Sequence, residues 1–407
     1  MAVTHQAAAT GPAVRGSSDS ITFLIYSPYP RYSGGRENWL YNLTGFLSRA
    51  GVAVTVISHA TNRRPFYPPV EGVRLVLLPS VRYFDRAFYW LNRLTLGLAR
   101  LVDTLVVYPV IAALRLAREK PGVLVCMNSI PEGLAARLAR RPFVVSVRGD
   151  VPAELRPTWL LERPMRALER RVLRRAVRVL ANGFDTQARL KEDGIESAVV
   201  PNGVDGARFR TPDGEGGTAR ALVEVSRGRP VIAVTGTLRP IKGTDEAIQI
   251  AAELKRLDPN FLMALVGKGD EAHYRRVVQA HELGDVVSVL GETRDVPSIL
   301  RHTDVYLALS GGSGLSMAVL EAMAAGVAVV ALDSPVYQQL ITHEVNGLLA
   351  ASAPNLATAC RRLLRDGDLR RRLGEAAIRT ADGYNWDRVA ERFLEEIEGR
   401  VPAEVTV

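Results

Sequence analysis

The stretch Ser310-Gly-Gly-Ser-Gly-Leu-Ser-Met-Ala-Val-Leu-Glu321 runs a glycine-rich turn into an apolar helix that carries a single carboxylate. Backbone N–H groups at a helix N-terminus lack intrahelical partners and sit at the positive end of the dipole. Gly314, Leu315 and Ser316 would therefore offer bare amides to a phosphate. Glu321 is expected about two helical turns further on, on the side that points back along the turn. Its neighbours Val319, Leu320, Ala322 and Met323 are apolar, and an unpaired carboxylate among them is costly to bury. That favours a ligand contact over a solvated surface glutamate. A phosphate seat beside an acid that can accept hydroxyls suits a sugar nucleotide.

Such loops need a sheet to hold them. Ile21–Tyr26 reads as a strand, and the loop through Gly34-Gly35 leads to a helix with Trp39, Leu40, Leu43 and Leu47 at helical spacing. Val52–Ile57 is the next strand, so the order is strand, helix, strand, which implies parallel pairing. Further apolar runs at 73–78, 123–127 and 143–147 lack alternation, as expected of strands covered on both faces. Turn chemistry fills 201–229, and the pattern then restarts with strands at 231–235, 261–266, 286–290, 305–309 and 327–332. Two consecutive doubly wound α/β domains follow, expected at 21–205 and 206–385. A charged helix over about 386–400 would pack back onto the first. Ligands of such sheets bind at the carboxyl ends of the strands, so two of them facing each other would form one interdomain cleft.

Composition sets the outer bounds. The 407 residues are too many for one hydrophobic core, and 47% apolar with 23% charged is ordinary for a soluble globular chain. Cys126 and Cys360 lie far apart and match no metal or redox spacing, so both read as buried thiols. The net charge of +9 favours anionic partners, with nucleic acid least among them because no binding motif accompanies the charge. Residues 1–20 are small and polar with no apolar signal core, and read as a disordered tail. The apolar region 94–116 is interrupted by Arg100, Asp103, Pro109 and Arg115, which makes it a poor membrane span. A cytoplasmic location is expected.

Taken in order, Gly34-Gly35-Arg-Glu37, Pro201-Asn-Gly-Val-Asp205 with Phe209, Gly236-Thr-Leu-Arg-Pro-Ile-Lys-Gly243, Val266-Gly-Lys-Gly269, Leu290-Gly291, Gly314 to Gly326 and Asn346-Gly-Leu-Leu349 resemble the retaining GT-B glycosyltransferases of family 4. The resemblance covers almost the whole chain. It implies two Rossmann-like domains, a nucleotide-diphosphate sugar as donor, a hydroxyl acceptor, retention of anomeric configuration and no metal cofactor. Breaking the anomeric bond leaves negative charge on the diphosphate, so the site needs preorganised positive potential there.

Under the resemblance, Lys242 corresponds to the lysine that contacts the diphosphate. The family usually shows an arginine five residues earlier. Here Thr237 stands at that place, with Arg239 two residues on as the candidate substitute. Gly34 and Gly35 would let backbone amides approach the donor. Glu321 resembles the acid that accepts hydrogen bonds from the ribose. Ser313 stands where the family places a further glutamate, and it could cap the helix or bond the sugar without charge. Gly267 and Lys268, with Gly291 and Glu292, lie in loops placed to contact the base. Arg148 stands where many members carry a histidine. It cannot serve as a base but can bind a phosphate or carboxylate. Asp150 is then either the nearest acid for an acceptor hydroxyl or the cap of a turn.

A retaining reaction lessens the need for a protein base, because the departing phosphate oxygen can take the acceptor proton. A second reading treats Thr237, Ser313 and Arg148 as marks of a non-catalytic sugar-nucleotide-binding partner. A redox Rossmann enzyme is disfavoured, since no G-x-G-x-x-G follows the first strand. The region 82–119 carries Phe84, Phe88, Leu91, Leu94, Leu98 and Leu101 near helical spacing among arginines. It reads as an acceptor pocket, a peripheral contact with an acidic membrane, or a plain cover for the sheet.

Overall fold

The computed structural model describes residues 20–32, 34–80, 85–95, 97–120, 122–149, 162–211, 217–309 and 314–398. Asp150, Ser313 and all of the expected tail except Ser20 lie outside them. The chain divides into two compact units. One runs to Leu180 and adds Asp193–Ala198 and the segment from Ala390, and the other takes Ala181–Glu192 and Val199–Val389.

In the first unit, β1 (Ser20–Leu24), β2 (Ala53–His59), β3 (Val73–Leu78), β4 (Val123–Cys126), β5 (Val144–Val147), β6 (Arg178–Ala181) and β7 (Ala198–Val199) form a seven-stranded sheet. Its order is β3-β2-β1-β4-β5-β6-β7. Pairing is parallel from β3 through β5, with Ile21 opposite Val54 on one side and Val123 on the other. Ile21, Phe23 and Leu24 have no exposed surface, as a central strand covered on both faces requires. The helix Gly35–Arg49 packs Trp39, Leu40, Leu43 and Leu47 inward, the expected spacing. The strand β3 departs from expectation: it lies at the sheet edge, and Leu75 and Leu77 are each 40% exposed. An apolar run without alternation thus fails to distinguish a central strand from an edge one.

The second unit repeats the plan. Here β8 (Val231–Thr235), β9 (Leu262–Val266), β10 (Val287–Gly291), β11 (Val305–Ala308), β12 (Ala328–Leu332) and β13 (Leu348–Ala350) lie in the order β10-β9-β8-β11-β12-β13, all parallel. The first strand of each unit is therefore central, and successive connections leave it first on one side and then on the other. That reversal opens a crevice at the carboxyl ends of β8 and β11.

The helix Trp386–Ile397 begins in the second unit, where Trp386 covers Gly203, and ends in the first. There Phe393 is fully buried, stacked on Phe23 at 5.9 Å and edge-on to Trp39 at 5.8 Å.

Candidate functional site

The loop after β8 is built as a closed turn. The Arg239 amide donates to Thr244 Oγ1 (3.0 Å), that hydroxyl donates back to the Arg239 carbonyl (3.1 Å), and the Lys242 amide donates to the same carbonyl (3.0 Å). Gly243 adopts φ +80°, and a Cβ there would lie 2.4 Å from Leu309 Cβ. Only glycine lets this turn close against the residue that precedes Ser310. Lys242 and Arg239 are thereby held, both exposed, beside the loop after β11. Thr237 is half-buried in the same turn.

The loop after β11 differs from expectation in two ways. The Gly314 amide is not bare: it donates to Asp185 Oδ2 (2.8 Å), and the Leu315 amide donates to the Asn182 carbonyl (3.1 Å). The helix starts only at Met317, with Ser316 as its cap accepting from the Val319 amide, so capping does not fall to Ser313. Glu321 consequently sits about one turn into the helix rather than two. The reason is local. Gly314 at φ +82° turns the chain hard against Asn182, and Asn202 donates from Nδ2 to the Leu315 carbonyl, so the turn is pinned before a helix can begin.

Glu321 lies between the fully buried Leu320 and Ala322. Among the described residues no hydrogen bond reaches its carboxylate. Loss of solvent pushes its pKa up to about 7, partly opposed by the charge of Arg208. Arg208 arrives through Pro201-Asn-Gly-Val-Asp205, whose Asp205 caps the short helix Gly206–Arg210 by accepting from the Arg208 amide. Across from it, Tyr306 of β11 shares a hydrogen bond of 3.0 Å with Thr235, and burial, with Glu321 adding to it, lifts its pKa to about 12. A carboxyl of raised pKa at a strand-end crevice, with no hydrogen bond from the described residues, is poised to accept hydroxyl donors from a ligand.

Gly267 and Lys268 follow β9, and Gly291 and Glu292 follow β10. Their backbones are laced to the β8 loop. The Gly236 amide donates to the Val266 carbonyl (2.9 Å), Leu238 to Lys268 (2.9 Å) and Gly267 to Gly291 (2.8 Å). A register shift between Val289 and Gly291 loosens the end of β10 at the same place. All the candidate residues of the second unit that are described therefore gather at adjacent strand ends.

In the first unit Gly34 and Gly35 are exposed at the start of their helix. Glu37, in the first turn of that helix, is buried and accepts a hydrogen bond from Ser27 Oγ. Arg148 follows β5, with its guanidinium carbon 3.4 Å from the centre of the Trp39 ring and its Nε donating to Ser146 Oγ (2.9 Å). Burial draws its pKa well below the usual arginine range. It is a fixed cation on an aromatic platform.

Sequence reasoning missed Asn182 and Asp185. Asp185 accepts from Gly314 through one oxygen and from Gln339 Nε2 (2.9 Å) through the other, holding the turn from outside. The signal was present in Asn182-Gly-Phe-Asp185, turn chemistry at the head of the helix Phe184–Glu192.

Two doubly wound sheets with glycine loops at their strand ends define a GT-B protein, and solved structures agree. HepE of Anabaena, crystallised with UDP, aligns with TM-score 0.69 at 18% identity over 92% of this chain and 98% of its own. Residues 33–208 match Glycosyltransferase Family 4, and residues 219–380 match Glycosyl transferases group 1. Phosphatidyl-myo-inositol mannosyltransferase of Mycobacterium tuberculosis is 30% identical over 279 residues, 65% of this chain and 69% of that protein. D-inositol 3-phosphate glycosyltransferase of Nocardia farcinica is 29% identical over 243 residues, 56% of this chain. With its two Salinispora counterparts it is matched over only 53% to 56% of its length. The chain belongs to glycosyltransferase family 4.

Proposed function

We propose that this protein transfers a sugar from a nucleotide-diphosphate donor to an acceptor hydroxyl with retention of anomeric configuration. The observation that carries the reading is the gathering of Lys242, Arg239 and the under-solvated Glu321 at the crevice beside β8 and β11. In this reading Lys242 and Arg239 meet the charge that builds on the diphosphate as the anomeric C–O bond breaks, without need of a metal. Glu321 accepts from the ribose hydroxyls. The acceptor oxygen bonds to the anomeric carbon on the face the phosphate leaves, and its proton passes to the departing phosphate oxygen. Arg148 stays protonated and binds an anionic group of the acceptor. HepE binds UDP, which favours a uridine donor, and the names of the relatives favour an inositol-bearing acceptor.

The test is a mass-spectrometric screen of purified protein against nucleotide-diphosphate sugars, first for hydrolysis and then for transfer to inositol phosphates and lipids. Turnover should survive chelation and fall at least ~100-fold in Lys242→Ala. Product NMR should show the anomeric configuration of the donor. Tight donor binding with no turnover on any acceptor would favour the non-catalytic reading instead.

A further inference from the structure

The segment between Ala87 and Arg118 has two faces of opposite character. Within Leu98–Leu116, which is helical throughout, Thr104, Tyr108, Ala112 and Leu116 are buried at every fourth position. Between them a second line faces water: Leu98 (57% exposed), Val102, Val106, Val110 and Leu114 (61%). In a pure α-helix residues four apart drift by about 40° per step, so such a line would wind around to the sheet. The wider π turn at Asp103–Val107 counters that drift and keeps the line outward. The preceding helix, Asp85–Leu94, turns Phe88 inward but exposes Tyr89, Trp90, Leu91 and Leu94, the last by 80%.

A run of large apolar side chains this long is unusual on a soluble surface. Its charge says what covers it. Between Ala87 and Arg118 every basic residue is an arginine, and the one acid, Asp103, is buried and accepts from Tyr26 Oη (2.6 Å). Arg93 lies over the Trp90 ring at 5.6 Å, a cation and an indole paired as both are at a lipid interface. A protein partner of ordinary composition would meet some acid on this face, and an anionic bilayer would not. No single helix among the described residues is long and apolar enough to cross a membrane, and although Ala87–Leu94 and Leu98–Leu116 are apolar enough as a pair, they meet at 109°. With one face of Leu98–Leu116 buried against the protein, the fitting geometry is a segment lying in the headgroup plane.

We propose that the segment from Ala87 to Arg118 docks this protein on an anionic phospholipid bilayer, with its apolar line sunk into the interface and the exposed Arg93 and Arg100 against lipid phosphates, while Arg115 stays paired with Glu119. The Asp103–Tyr26 bond ties the inner face of that segment to the loop two residues after β1. If the sugar-transfer reading holds, docking would place the acceptor side of the first unit at the membrane. The docking itself does not depend on that reading.

The experiment is flotation of the full chain, without donor or acceptor, on vesicles of phosphatidylcholine alone or mixed with phosphatidylglycerol. The protein should float with the mixed vesicles and less so at high salt. Binding should fall at least ~10-fold in Leu94→Gln/Leu98→Gln, and also in Arg93→Gln/Arg100→Gln. Both pairs change exposed residues, and their thermal unfolding should match the parent. As an independent measure, vesicles should blue-shift tryptophan emission in the parent and not in Trp90→Phe. Protein left in solution with mixed vesicles would overturn the proposal. So would undiminished flotation of the leucine variant, or a dimer that this variant dissolves in the absence of any lipid binding.

Discussion

At the scale of single residues, Glu321 makes the most testable statement. Its folded pKa of about 7 lies above the ordinary value of 4.5, so the folded state keeps a proton that the unfolded chain releases. Stability therefore falls as pH rises from about 4.5 to 7, by up to about 3 kcal/mol, and stays at that lower level above pH 7. Glu321→Gln removes the half-buried charge. It should raise the melting temperature of the ligand-free protein at pH 8 and leave it unchanged at pH 4, as measured by calorimetry. Donor binding should show the opposite dependence. Ribose hydroxyls need the ionised carboxylate, so affinity for the nucleotide sugar should rise about tenfold from pH 6 to pH 8. Calorimetry in buffers of different ionisation enthalpy should also show proton release on binding. A flat affinity profile would remove Glu321 from the ribose role. The acid and its apolar neighbours were legible in the sequence. Its pKa was not, because that depends on how Arg208, Tyr306 and Leu320 close around it.

At the scale of elements, the turn from Gly314 to Ser316 shows how a loop is held for a ligand. The amides of Gly314 and Leu315 are spent on Asp185 and Asn182, so these two residues serve position first. Gly314→Ala would place a Cβ 2.0 Å from the Asn182 amide while φ stays at +82°. The left-handed conformation and the clash together should cost about 2–4 kcal/mol. Asp185→Asn keeps the shape and weakens the anchor. It should lower donor affinity with a much smaller change in unfolding free energy by urea titration, which separates loop position from global stability. The sequence showed long apolar strands such as β1, β8 and β12 readily, because a parallel sheet demands continuous apolar runs. It did not show β7 or β13, which are two and three residues long, nor β6, whose apolar run is only Val179-Leu180-Ala181 between Arg178 and Asn182. Nor did it show that Ser316, rather than Ser313, begins the helix, since both are good caps and only the contacts of Gly314 decide between them.

At the scale of the whole molecule, the same six-strand order appears twice, and the restart of the pattern after the turn-rich stretch made that repeat visible in the sequence. The chain's route between the units was less visible. Ala181–Glu192 leaves the first unit early to brace the Gly314 turn, and the segment from Ala390 returns to it. That return is made by one helix face. Phe393 fills the space between Phe23 and Trp39, and Glu396 accepts from Arg178 Nε at 3.1 Å. Trp39 is also the ring under Arg148, so the terminal helix supports a candidate acceptor-side cation through a single shared side chain. Phe393→Ala should therefore cost about 3–5 kcal/mol, borne by the first unit. Hydrogen exchange should show loss of protection in β1 and in Gly35–Arg49, with β8, β9 and β12 unchanged. If Arg148 serves the acceptor as proposed, this variant should raise the acceptor KM and leave donor affinity intact. A uniform loss of protection across both sheets would instead mean that the two units unfold as one cooperative body.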